Sequence, residues 1–131
     1  MKDAKILLVD DEVVFTNNMS KLLSNRGYQV KTANSGYEAL QILMDNDFHV
    51  MVLDLKMPGV DGLATIREIK KFGLPTEVLI LTGHGSIDMA LEAIKLGAYD
   101  YLTKPCQIAE LVSKIEIGLT AVGKTPCTRK I

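Results

Sequence analysis

Only two cysteines occur in the 131 residues, Cys106 and Cys127. Two thiols make neither a disulfide framework nor a zinc site, and both are read as reduced. Long apolar runs are missing too. No stretch approaches the ~20 residues that a membrane helix needs, and Met1-Lys2-Asp3 leads into no signal-peptide pattern. The expectation is a soluble, cytoplasmic chain that makes no use of a membrane. Nor is there a basic stripe. Fifteen Lys+Arg stand against sixteen Asp+Glu, and because Lys124, Arg129 and Lys130 fall near the end, residues 1–123 carry a net charge of −4. An acidic body argues against direct nucleic-acid binding by this domain. Internal repeats and low-complexity segments are absent. What is present is an ordinary globular composition, 47% hydrophobic and 24% charged. At this length that suffices for one core without staples.

Five short apolar runs alternate with five amphipathic stretches. The runs are Lys5–Val9, Gln29–Ala33, His49–Leu53, Glu77–Leu81 and Tyr99–Thr103. Ile6-Leu7-Leu8-Val9, Val50-Met51-Val52-Leu53 and Val78-Leu79-Ile80-Leu81 are apolar throughout, as strands covered on both faces are. Between them, apolar residues repeat at helical spacing. The first such face is Phe15, Met19, Leu22 and Leu23, ending near Gly27. Ser35-Gly36-Tyr37-Glu38 has the spacing of a capping box before Ala39, Leu40 and Leu43. Leu63, Ile66 and Ile69 follow, with Asp61 as a cap. Ser86 caps a fourth helix over Ala90, Leu91 and Ile94, which Gly97 terminates. Ile108, Leu111, Val112 and Ile115 make the fifth. Met19, Met44, Met51 and Met89 fall on apolar faces and are expected in the core, and Tyr28 and Tyr37 are expected to pack. The pattern stops near Gly123. This sets residues 1–122 as one domain and residues 123–131 as a tail or a truncated linker.

Strand and helix alternating five times means α/β with right-handed crossovers around a parallel sheet. Five strands are few for a closed barrel, so an open, doubly wound sheet is expected. Ligands then bind at the carboxyl ends of the strands. Asp10-Asp11-Glu12 follows the first strand, Asp54 the third, Thr82-Gly83 the fourth and Thr103-Lys104-Pro105 the fifth. Singly, each is an ordinary cap, turn or solvated residue. Together they bring carboxylates, a hydroxyl and an ammonium to one rim. Two unit charges about 4 Å apart repel by roughly 4 kcal/mol at an effective dielectric of about 20. A hard divalent cation relieves this, and Mg²⁺ suits a shallow all-oxygen site that shares its shell with phosphate. Lys104 and Thr82 then become donors to phosphoryl oxygens, and a carboxylate can be the nucleophile. The bland alternative is an acidic rim with one compensating lysine.

Four blocks resemble the receiver domain of bacterial response regulators: Leu7-Leu8-Val9-Asp10-Asp11-Glu12, Leu53-Asp54-Leu55-Lys56-Met57-Pro58-Gly59-Val60-Asp61-Gly62, Leu81-Thr82-Gly83-His84-Gly85 and Gly97-Ala98-Tyr99-Asp100-Tyr101-Leu102-Thr103-Lys104-Pro105. The resemblance spans about Lys5 to Leu119. From Thr82 to Lys104 it is nearest to receivers of the nitrogen-regulation type, which activate transcription with an alternative sigma factor. It implies a flavodoxin-like (βα)5 fold with strand order 2-1-3-4-5. It implies that Asp54 accepts a phosphoryl group from a sensor histidine kinase or a phosphotransfer protein. Asp11 matches a direct Mg²⁺ ligand, Asp10 one acting through water, and the Lys56 carbonyl the backbone ligand, with Asp54 completing the metal set. Thr82 matches the hydroxyl that moves towards the phosphoryl group, Lys104 the cation that binds it, and Tyr101 the aromatic that changes rotamer with Thr82. The Lys104–Pro105 bond is cis in the family. An output domain or partner reads the face of helix four, strand five and helix five, and a phosphorylation-dependent homodimer is a further implied partner. A receiver acts once per cycle on itself, so the chain is not an enzyme in the turnover sense.

Other readings compete. A phosphatase of the haloacid-dehalogenase type expects a second Asp two residues after the nucleophile, where this chain has Lys56. A flavin module needs small donors after the first strand, where Asp10-Asp11-Glu12 would repel a phosphate. A receiver-like module that is never phosphorylated would not need Asp10, Asp11, Asp54, Thr82 and Lys104 together. Cys106 stands where the family often has an aromatic and is read as a packing residue. Lys56 and His84 lie at positions where family members vary, and His84 is read as a surface side chain.

Overall fold

Alternate residues of the apolar runs face opposite ways, and each set finds its own helices. The computed structural model describes residues 3–55, 62–83 and 87–123. Its elements run β1 (Lys5–Val9), α1 (Val13–Asn25), β2 (Gln29–Ala33), α2 (Gly36–Asp45), β3 (Val50–Leu53), α3 (Gly62–Lys71), β4 (Glu77–Thr82), α4 (Ile87–Leu96), β5 (Asp100–Thr103) and α5 (Ile108–Gly123). The five strands form one parallel sheet in the order β2-β1-β3-β4-β5. Leu7, Val9, Met51, Leu53, Val78 and Ile80 pack with Ala39, Leu43, Ile66, Ile69, Ala90 and Ala93 from α2, α3 and α4. Ile6, Leu8, Val50, Val52, Leu79 and Leu81 pack with Met19, Leu23, Leu111, Ile115 and Leu119 from α1 and α5. A period of two along the strand thus divides the core into two layers. This is the flavodoxin-like, doubly wound architecture expected.

Local chemistry sets the helix ends. Ser35 Oγ accepts from the Glu38 N–H at 3.1 Å, as the capping box requires. The Glu38 carboxylate reaches one residue further back than the motif predicts, to the Asn34 N–H at 2.7 Å. Gly97, at φ 126°, closes α4: its N–H donates to the Ile94 carbonyl and the Ala98 N–H to the Ala93 carbonyl, both at 3.0 Å. That pair is a Schellman motif, which favours glycine at its left-handed position. The proposed caps Asp61 and Ser86 lie outside the described residues, as do Lys56, His84, Cys127 and residues 124–131.

Four expectations about packing fail, Leu91 of α4 among them at 48% exposed. Tyr37 and Met44 are 63% and 53% exposed. They stand seven residues apart on α2, on the face turned away from Ala39 and Leu43. Leu22 is also exposed, because its neighbour Leu23 takes the buried direction on α1. Met19 and Met51 are buried as expected, and Met89 packs against the core. Tyr28 is buried, and its hydroxyl donates to Glu116 Oε2 on α5. Burial, with that carboxylate, pushes the Tyr28 phenol well above its ordinary pKa. Tyr28→Phe is expected to lower stability by about 2 kcal/mol, because a hydrogen bond to a charged acceptor is lost. Urea denaturation of the two proteins checks this, and a change within error would show the bond to be energetically idle.

Candidate functional site at the carboxyl ends of the strands

The helices that follow β1 and β3 pack on opposite faces of the sheet, α1 in one layer and α3 in the other, so the switch point lies between β1 and β3. Asp10 and Asp54 flank it. The Asp10 N–H continues the ladder to the Ala33 carbonyl at 3.1 Å, and the Asp54 N–H to the Val9 carbonyl at 3.0 Å. Both side chains are buried at the edge of the layers above. Thr82, the last residue of β4, is fully buried, and its hydroxyl donates to Asp54 Oδ1 at 3.4 Å. Lys104 follows β5 directly. Its N–H donates to the Thr82 carbonyl at 2.7 Å, and the Lys104–Pro105 bond is cis, as the resemblance implied. Gly62 closes the site from the α3 side, where a Cβ would come within 2.7 Å of the Leu55 Cα. Only glycine allows that approach.

Charge decides the rest of the geometry. Lys104 Nζ donates to Asp10 Oδ2 and to Glu12 Oε1, the latter at 2.8 Å, and lies 3.7 Å from Asp54 Oδ2. The Glu12 N–H holds the other Asp10 oxygen at 3.0 Å, and the Asn34 side-chain amide donates to the Asp10 carbonyl at 3.2 Å. One ammonium therefore serves three carboxylates. Burial raises the Asp10 pKa against the pull of Lys104, and the nearby Asp54 charge adds to the rise. For Lys104, burial opposes the ammonium, but the hydrogen bonds to Asp10 and Glu12, with the Asp54 and Asp10 charges, outweigh it and raise its pKa.

Asp10, Glu12 and Asp54 offer oxygens that all lie within 4.8 Å of one another. This all-oxygen set around incomplete charge compensation fits a hard divalent cation. Asp11, expected as the direct ligand, is exposed and outside this group, and Glu12 stands in it instead. In the sequence Glu12 is only the last member of the acidic triplet, and its spacing assigns it no role. Its reach depends on how the chain turns into α1, and no sequence spacing shows that. Tyr101 is half-buried on β5, opposite Ile80, and packs against the core layer of α2 to α4. Cys106 is half-buried against the other layer, and burial pushes its thiol pKa up, which suits a packing role.

Residues 6–116 match the model of the response regulator receiver domain family. The chain belongs to that family, the receiver domains of two-component systems. It is 38% identical over 125 residues to the transcriptional regulatory protein ZraR of Klebsiella oxytoca, covering 94% of this chain and 28% of that protein. Among solved structures it resembles a receiver domain protein from Clostridium thermocellum at 41% identity and TM-score 0.85, covering 90% and 95% of the two chains. It also resembles NtrX from Brucella abortus at 34% identity and TM-score 0.89, covering 96% of this chain and 29% of that one. The nitrogen-regulation resemblance read between Thr82 and Lys104 agrees with these relatives. The chain spans about a quarter of the length of the ZraR relatives it matches. Among the described residues, no helix is long and apolar enough to cross a membrane.

Proposed function

We propose that this chain is the phosphoacceptor and switch of a cytoplasmic two-component pathway, with Asp54 taking a phosphoryl group in a Mg²⁺-dependent reaction. The observation that carries the reading is the buried Asp54 carboxylate with Thr82 Oγ1 at 3.4 Å and Lys104 Nζ at 3.7 Å. In the reaction an Asp54 oxygen attacks the phosphorus of a phosphohistidine. The phosphorus–nitrogen bond breaks, its electron pair stays with the imidazole, and an acyl phosphate forms on Asp54. Mg²⁺, when bound, neutralises charge on the phosphoryl oxygens. Asp10 and Asp54, with Asp11 and the Lys56 carbonyl as the resemblance implies, would hold it, and the position of Glu12 adds a further oxygen. Lys104 needs little movement to pair with a phosphoryl oxygen on Asp54. Thr82 can turn its hydroxyl from the carboxylate to the same group. Residues 1–122 would form the receiver, with residues 123–131 as its tail or part of a linker. Intact-mass measurement after incubation with acetyl phosphate should show one added phosphoryl group with Mg²⁺ and none in EDTA, with the label mapping to Asp54. Label on any other residue overturns the assignment.

The switch follows from the same pair of strands. Thr82 and Tyr101 lie on adjacent strands, and withdrawal of the Thr82 hydroxyl towards a phosphoryl group alters the space into which the Tyr101 ring can turn. This rearranges the surface of α4, β5 and α5, where an output domain, a partner or a second copy would read it. A coupling of about 1–3 kcal/mol is usual for such a device. Beryllofluoride should therefore shift amide resonances across residues 82–105 and α4. Thr82→Ala should shrink the distant shifts and keep those near Asp54. Distant shifts unaltered in Thr82→Ala would contradict the mechanism.

A further inference from the structure

Phe15 sits in the first turn of α1, half-buried against the layer formed with α5. Its ring centroid lies 4.6 Å from Lys104 Nζ, within the range of a cation–π contact. The sequence marks it only as part of an apolar helix face. Among the described residues the other partners of the Lys104 ammonium are carboxylates, and Asp10 and Glu12 belong to the group that a divalent cation would recruit. A cation on those carboxylates draws off their charge and repels the ammonium, so their hold on Lys104 weakens. An aromatic face attracts an ammonium but is no ligand for a hard cation, so Phe15 is the partner of Lys104 that metal loading leaves in place. The ring attracts Nζ while Nζ lies 3.7 Å from Asp54 Oδ2, so holding it there keeps the ammonium beside the acceptor.

We infer that Phe15 is a positioning residue for phosphoryl acceptance, its ring face holding the Lys104 ammonium at Asp54 when the carboxylates turn to the metal. The inference rests on the phosphoacceptor reading of Asp54. Beryllofluoride, titrated at saturating Mg²⁺ with binding followed by the Asp54 and Leu55 amide resonances, tests it on the full chain. Phe15→Leu keeps an apolar side chain but no ring. It should weaken the apparent affinity about 3- to 10-fold. Phe15→Tyr should stay within about twofold of wild type, because the ring face is retained. Trifluorophenylalanine at position 15 keeps the ring shape while draining its negative face, and should fall between wild type and Phe15→Leu. A purely packing role would leave the fluorinated protein at the wild-type affinity, and that result overturns the inference, as does wild-type affinity in Phe15→Leu. If wild type takes up no beryllofluoride, the phosphoacceptor reading itself fails and this inference with it.

Discussion

Asp54→Asn is expected to take no phosphoryl group from acetyl phosphate, even with Mg²⁺, and to fold at least as stably as wild type in EDTA. The loss is complete because an amide oxygen is a poor nucleophile and, among the described residues, no other buried carboxylate has both Thr82 and Lys104 beside it. Stability goes the other way for an electrostatic reason. Asp54 shares a rim with Asp10 and Glu12, their oxygens within 4.8 Å, against one lysine among the described residues. Removing one negative charge relieves repulsion, while Asn can still accept the Thr82 hydroxyl at its Oδ1. A gain of about 1 kcal/mol is expected for this partly wet site. Sites held in such tension for function commonly cost stability. Thermal melts with and without Mg²⁺ separate the two effects. An Asp54→Asn protein that melts well below wild type in EDTA would show that Lys104 already compensates the cluster in full.

Much of this site is legible in the sequence because each of its main residues ends a strand or directly follows one. Asp10, Asp54, Thr82 and Lys104 need only the sheet to bring them together, and the β2-β1-β3-β4-β5 order does so. The order itself comes from family resemblance, since apolar runs do not say which strands are neighbours. Glu12 and Phe15 escape such a reading. Their positions depend on how the chain leaves β1 and on the phase at which α1 begins. Phase also explains the misplaced apolar residues. Tyr37 and Met44 are apolar enough to count towards a core, but they share a turn direction opposite to Ala39 and Leu43. Edge strands blur the pattern further. β5 is half-buried throughout rather than alternating, so the depth of Tyr101 could be read only from the fold.

Lys104→Met should cost about 3 kcal/mol in EDTA near neutral pH, and Mg²⁺ should restore more stability to it than it adds to wild type. Methionine keeps the apolar stem and removes the ammonium. Asp10 is buried and would lose its lysine partner, and the ammonium 3.7 Å from Asp54 would be gone. Breaking a buried pair from one side typically costs about 3–5 kcal/mol, and the exposed Glu12 places this case at the lower end. The pH window follows from two shifts. The Lys104 pKa is raised in the fold, so its contribution is present below the ordinary lysine value and is lost as pH climbs through the raised one. The Asp10 pKa is also raised, chiefly by burial, so its ionised form opposes folding above the usual carboxylate range and the strain eases as pH falls. The penalty in Lys104→Met should thus be greatest between these limits and fade in acid as Asp10 takes a proton. A divalent cation offers the carboxylates the positive charge that methionine lacks, and binding to the folded state alone stabilises it by mass action. In wild type the metal must displace Lys104 from Asp10 and Glu12, so its gain is smaller. Equal Mg²⁺ stabilisation of the two proteins would mean that the lysine and the metal do not compete for the same oxygens.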